Sequence, residues 1–371
     1  MGLPTSSSLA AVFGGALWLD VVRRSDALPK LDRRVLLHAG PPFASLGAMP
    51  AAVRQAAVQA ILFEGLARSL DTAQALLANG GVQLMPAQNH GVATPLAQVV
   101  SASMPLAAVG DGSHTAWAPL IEGAPPALRF GSSAPEAQGR LQAVTELGLV
   151  RLGPLLRSRP VALQPLIQQA LDKGDECHGR TLAANRVLVD ALPGLVPADL
   201  AWLNANAGFV LPILMAAACW RLRAGSAGIA AGIAAVGGNG VEFGIRIAGE
   251  DRWRTLAALP PHGARFAGQQ DTQALGAIGD SAVIDFCGLG GQALCFADAL
   301  RDEWKSVLPA DLLAHRNAVI NVQTGLVDAA CIVRNATAPL VDLAILDREG
   351  TAGLIGRGVY APATRLFTSH P

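Results

Sequence analysis

Apolar and polar positions fall into short runs separated by glycine and proline, not into one sustained rhythm. Residues 1–30 show no clean period and read as an irregular start. Arg34 to Leu37 then predicts a short strand, leading into the turn His38-Ala39-Gly40-Pro41-Pro42. Pro50 suits the first turn of a helix, where its missing N–H costs nothing. Val53, Ala57, Ala60, Ile61 and Leu62 share its apolar side, and the pattern predicts helix to about Ser69. Asp71 reads as the N-cap of the next helix, which Asn79-Gly80-Gly81 closes. Val82 to Met85 and Leu106 to Val109 predict strands, while Leu96 to Val100 fits helix or strand equally.

Residues 135–186 are helical by pattern, with breaks expected at Pro154, Arg159-Pro160 and Gly174. After Phe209 come a buried helix, a glycine-rich turn at Gly237 to Gly240, and a strand from Val241 to Ile247. A strand from Ala282 to Cys287 is expected to enter the turn Gly288-Leu289-Gly290-Gly291, followed by helix to about Trp304. Short strands are expected at Ala318 to Val322, Ala329 to Val333 and Val341 to Leu346. No fixed-period repeat occurs. The class expected is α+β (mixed α/β), multidomain with a small inserted helical subdomain. Its divisions are an N-terminal α/β domain (1–133), the helical subdomain (134–205) and a C-terminal α+β domain (206–371).

Composition narrows the function. Charged residues are 15% of the chain, against about 25% in ordinary soluble proteins. That fits either a partner-covered surface or a plain alanine bias. Formal net charge is zero and no basic stripe is present, so nucleic-acid binding has no electrostatic footprint. Five widely spaced cysteines form no CxxC pair, which points away from disulfides and structural zinc and toward the cytoplasm. Leu200 to Trp220 carries no charge, but Asn204, Asn206 and Pro212 favour a buried core helix over a membrane span. The apolar segment Ala224 to Val236, with Gly225, Gly228 and Gly232, reads as a close-packed part of the core.

Four clusters carry candidate chemistry. The densest is Asp175-Glu176-Cys177-His178-Gly179-Arg180. On a helix, Asp175 would share a face with His178, and Glu176 with Arg180. A carboxylate beside His178 suits a general acid or base, while a solvated pair of salt bridges explains the same spacing. The second cluster runs from Asp280 and Ser281 to Gly288, Gly290 and Gly291, whose free N–H groups could hold a phosphate or carboxylate. A plain tight turn explains it as well. The third is Asn239, Gly240 and Glu242; the fourth is Asn89 and His90 after a strand. Asn206 joins the binding candidates. No HxxxH or HExxH occurs, so no metal site is expected; a divalent cation stays open without support from ligand spacing. No GxSxG elbow occurs either.

These clusters, in this order, resemble the AllG (YlbE-like) family over about residues 35–367. The stretches are HAGPPF (His38 to Phe43), SASMP (Ser101 to Pro105), DKGDECHGRTLAAN (Asp172 to Asn185), GNGVEFGIRIAG (Gly238 to Gly249) and GDSAVIDFCGLGG (Gly279 to Gly291), with the closing AILDREGTAGLIGRGVYAPATRLF. The resemblance implies a subunit of oxamate carbamoyltransferase. Such a complex has two companion subunits and interconverts oxalurate plus phosphate with oxamate plus carbamoyl phosphate in anaerobic allantoin breakdown. It assigns a phosphate cradle and oxyanion donors to the glycine turns, the acid to His178 or His90, and an anion contact to Arg180. Typical members carry Cys followed by histidines where this chain has Ala87-Gln88-Asn89-His90, and they begin with a nucleotide-fold-like segment before the stretch matching Arg34. A paralogue acting on another carbamoyl compound is the near alternative.

Two further readings are open: a non-catalytic subunit of a multi-protein complex, and an amide hydrolase or acyltransferase. The thiol version of the latter needs Cys177 with His178, yet helix neighbours point about 100° apart. The expected partners are companion carbamoyltransferase subunits and a small-molecule substrate, without nucleic acid or membrane; a homo-oligomer is open. No cofactor is expected.

Overall fold

The computed structural model describes residues 4–226 and 232–368. It is a mixed α+β protein with four small sheets and helices between them. One sheet runs in the order Thr115–Pro119, Pro105–Gly110, Leu17–Arg23, Val161–Ala162, all antiparallel. Pro105–Gly110 is buried at every position, as a strand covered on both faces must be. A second antiparallel sheet orders Arg254–Ala257, Glu242–Ile247, Ile233–Asn239 and Ile278–Gly279. The third orders His262–Arg265, Leu354–Tyr360 and Val341–Leu346. In the fourth, Val35–His38 pairs parallel with Gln83–Pro86 and antiparallel with Val99–Val100, which settles the Leu96 to Val100 stretch as strand at its end.

The helix Leu211–Ser226 packs against Pro105–Gly110, Thr115–Pro119, Ile233–Asn239 and a short helix, Ala282–Phe286. It is buried from Ile213 to Trp220, so it shows no polar face. The charge-free stretch Leu200 to Trp220 is divided between this helix and Pro197–Ala205. No helix among the described residues is long and apolar enough to cross a membrane. Ala224 to Val236 lies partly outside the described residues.

Several expectations are corrected, each for a local reason. The supposedly irregular start contains the helix Ser6–Ala10, capped by Thr5, and the strand Leu17–Arg23. A register shift between Trp18 and Asp20 breaks that strand's alternation and hides it from a period-two search. The helix from Ala51 stops at Phe63, with Gly65 at φ 64° just beyond. Ser69, not Asp71, caps Leu70–Ala78, by accepting from the Thr72 N–H. Pro154 breaks nothing: a π-helical segment, Leu147–Leu152, runs into Gly153–Ser158, with Pro154 in the latter's first turn. Gly237 and Gly238 belong to a strand, and the turn is at Gly240 (φ 88°). Ala282–Phe286 is helix, not strand; every residue is buried, so no period distinguishes the two. Ala329 to Val333 lies in the helix Ala329–Asn335, and Ala318 to Val322 begins at the end of the helix Leu312–Val319 and keeps only a single bridge, Ile320 to Val327; Asp311 and Asp328 start these helices as side-chain N-caps.

Candidate active site

Two buried carboxylate centres gather most of the sequence clusters. The first is Asp280, fully buried. Its Oδ1 accepts from the Gly40 N–H (2.8 Å) and from Gln88 Nε2 (2.6 Å), and its Oδ2 from the Thr94 N–H (2.9 Å). Gln88 also bonds both backbone groups of Val236. The HAGPP turn, the segment after Gln83–Pro86 and the Gly237–Gly238 strand therefore meet at one acid. The glycines make room for it: a Cβ on Gly237 would lie 2.5 Å from Asp280 Oδ1, and one on Gly40 would lie 2.4 Å from the Gly238 carbonyl carbon. Desolvation raises the Asp280 pKa to about 7 against its three hydrogen bonds. Both its oxygens are taken by hydrogen bonds within the fold, so Asp280 ties these segments together.

The second centre joins His178 to Asp285 and Asp342. The segment from Asp175 to Arg180 is not helical, and Cys177 takes φ 72°. The expected helix-face pairings of Asp175 with His178 and Glu176 with Arg180 do not form. Asp175 instead accepts from the N–H groups of Cys177, Ala183 and Ala184, fastening the loop to the start of the helix Leu182–Asp190. Glu176 accepts from the N–H groups of His178 and Arg180, and its carbonyl takes the Gly290 N–H. Cys177 is fully buried, with its thiol pKa pushed well up by burial and then by Asp175 and Glu176, so a thiolate nucleophile has no support.

The carboxylate beside His178 is Asp285, whose Oδ2 lies 2.9 Å from Nδ1. Asp285 Oδ1 accepts from the Gly291 N–H (2.7 Å) and the Asp342 N–H (3.1 Å). One N–H of the glycine turn, that of Gly291, thus meets an anion, and the anion is the chain's own Asp285. A Cβ on Gly290 would sit 2.3 Å from Asp285 Oδ1. Burial lowers the His178 pKa, but the adjacent Asp285 carboxylate, then Glu176, outweigh it and the net shift is upward. Asp342 is raised well above an ordinary carboxylate by burial and by the charges of Asp285 and Glu176. Burial also raises Glu176.

This second centre borders a cavity of about 260 Å³, lined among others by Arg129, Phe130, His178, Ser281, Asp342 and Arg357. Arg129 lies 3.6 Å (Nη1) from the buried Glu122 and over the Phe130 ring, its pKa lowered by burial to about 10. Arg357 is held by Glu303. Of the sequence candidates, His178 and Ser281 line the cavity, with Glu176, Gly290 and Gly291 behind them. Gly288 gives its carbonyl to Arg316. Asn239 is consumed in its own turn, bonding Pro41, Val241 and Glu242. Asn206 bonds Ala124 and Trp202, and Glu242 accepts from Thr255. Asn89 takes the Trp253 indole N–H, and His90 has its pKa lowered by burial and by Arg24 and Arg223; neither lines this cavity.

Arg129, Asp285, Asp342 and Arg357 were missed in the sequence. Two carried a signal: Asp285 and Asp342 are lone acids inside apolar runs, where a buried charge requires a reason. Arg129 and Arg357 carried none. His178, Asp285 and Asp342 also place ligand-type atoms all within 4.8 Å of one another, from three segments that no spacing rule connects.

A mixed α+β protein with an acid–histidine cluster on a small cavity is the class these observations define. The chain belongs to the AllG family: the family model described as oxamate carbamoyltransferase subunit AllG matches residues 82–281. The chain is 32% identical over 299 residues to oxamate carbamoyltransferase subunit AllG of Escherichia coli K12, covering 76% of this chain and 71% of that protein. It is 31% identical over 295 residues to the uncharacterized protein YahG of the same strain, covering 74% of this chain and 61% of YahG. Among solved structures, a conserved protein of unknown function from Enterococcus faecalis V583 superposes with a TM-score of 0.85 at 26% identity, covering 98% of this chain and 94% of that one.

Proposed function

We propose that this chain is a carbamoyltransferase subunit that, with companion subunits, interconverts oxalurate plus phosphate with oxamate plus carbamoyl phosphate. The family description and the name of the Escherichia coli AllG relative support the class. The observation that carries the site is His178, backed by Asp285, on the wall of a cavity sized for small acids. A phosphate oxygen attacks the carbamoyl carbon of oxalurate, giving a tetrahedral oxyanion. The bond to the amide nitrogen then breaks, and that nitrogen takes a proton to leave as oxamate. The proton balance closes because the attacking hydrogen phosphate releases the proton that the nitrogen gains.

Asp285 engages Nδ1 of His178, so Nε2 is the ring nitrogen left to donate to the departing nitrogen. Arg129 and Arg357 supply positive charge on the same wall for the substrate carboxylate or phosphate. Ser281 offers a hydroxyl there. The test is carbamoyl phosphate formation from oxalurate and phosphate by this chain co-assembled with its companions. We expect turnover, and a fall of about 100-fold or more with Arg129→Ala. Turnover undiminished by Arg129→Ala would move the reaction out of this cavity. No turnover by a well-assembled complex would withdraw the reaction.

A further inference from the structure

Asp342 is fully buried, yet no donor among the described residues bonds either of its carboxylate oxygens. The same holds for Asp285 Oδ2, apart from its approach to His178 Nδ1. The neighbour that Asp342 meets is Glu176, another acceptor, with which it can bond only by sharing a proton. Three acids therefore crowd one buried spot, and the charges that act most on Asp342, those of Asp285 and Glu176, are both negative. Such a centre needs a positive charge from outside the chain, either protons or a metal ion.

Geometry favours the ion. Divalent cations hold nitrogen and oxygen ligands at about 2.0–2.4 Å, so two ligands of one ion lie no more than about 4.8 Å apart. The ligand atoms of His178, Asp285 and Asp342 all satisfy that limit. They are also presented rigidly. His178 sits in the Glu176-tied loop, Asp285 is anchored by the N–H groups of Gly291 and Asp342, and Asp342 belongs to the strand Val341–Leu346. His178 and Asp342 border the cavity, which gives an ion an entry path and an open coordination position.

We propose that His178, Asp285 and Asp342 form a binding site for a divalent transition-metal cation, with Glu176 as an outer partner. One imidazole with two carboxylates suits manganese, iron or zinc better than magnesium or calcium, which prefer all-oxygen sets. The inference stands on the cluster's geometry and not on the carbamoyl reading. Coordination through Nδ1 leaves Nε2 free in either state. The test is calorimetric titration of the chelator-treated full chain with Mn²⁺ and with Zn²⁺ alone, beside its thermal melt. The expected result is one ion per chain and a raised melting temperature. Asp342→Asn and His178→Ala should each weaken binding by about tenfold or more, while circular dichroism stays native. A folded wild-type chain that takes up neither metal overturns the proposal. So does binding that both variants leave unchanged. Because the readout is binding, a failure here is separable from a failure of turnover.

Discussion

Asp280 and Asp285 belong to the same glycine-bounded motif and are equally buried, yet they end in opposite circumstances. Around Asp280 its hydrogen-bond partners are all donors: two backbone N–H groups and a glutamine amide, drawn from two distant segments. Around Asp285 one oxygen is satisfied and the other faces His178, with Asp342 and Glu176 adding more negative charge. The first arrangement consumes its carboxylate in holding the chain together. The second leaves capacity unused at the edge of a cavity. Burial alone therefore does not mark a functional acid; burial with unmet bonding capacity beside an opening does.

The largest effect is expected at Asp280. Asp280→Ala leaves the N–H groups of Gly40 and Thr94 and the Gln88 amide without their acceptor, and should cost about 3–5 kcal/mol. Urea unfolding reads this directly; a loss under about 1 kcal/mol would deny the tie. Gly291→Ala would put a Cβ 2.5 Å from the Leu340 carbonyl oxygen, a backbone atom with little room to move. Its expected cost is about 1–3 kcal/mol in the same assay.

A pH titration adds a third contrast. The folded chain holds the Asp280 proton up to about pH 7, against an ordinary value of 3.8. Between those values the folded state binds more protons than the unfolded one. Its contribution therefore falls as pH rises from about 4 to 7, by at most about 1.4 kcal/mol per pH unit. Unfolding free energies of wild type and Asp280→Asn across that range should diverge with this sign; parallel curves would refute it. The smallest effect is expected at the other centre. Asp342→Asn removes an acid that burial and its acidic neighbours disfavour in ionised form, and should leave the metal-free chain's stability unchanged or raise it by up to about 1 kcal/mol. A loss of several kcal/mol would make Asp342 a structural acid like Asp280.

How much of this was legible follows from which signals are local. The strand at Val35–His38, the strand Val341–Leu346 and the Gly80 helix end were readable because their cues lie within a few residues. The strand Leu17–Arg23 was hidden by its irregular register, and the helix Ala282–Phe286 by complete burial. The site shows the same division. His178 and the glycine turn were visible as residue types, but the partner expected for His178 was Asp175 on a helix face, and that segment is not helical. The partner that matters to His178, Asp285, arrives from more than a hundred residues away. Asp342 and Arg129 arrive by tertiary packing alone, which no local pattern encodes. Where a phosphate cradle was expected, the Gly291 N–H meets an anion supplied by the chain itself, Asp285.

In the proposed reaction His178 is the working end of the unsatisfied centre. The most direct measurement is the turnover of oxalurate and phosphate by the assembled complex carrying His178→Gln, beside its melting temperature. A loss of about 100-fold or more in kcat is expected, with assembly and melting little changed. Turnover equal to wild type in a correctly assembled complex would contradict it and return the cluster to a purely structural role.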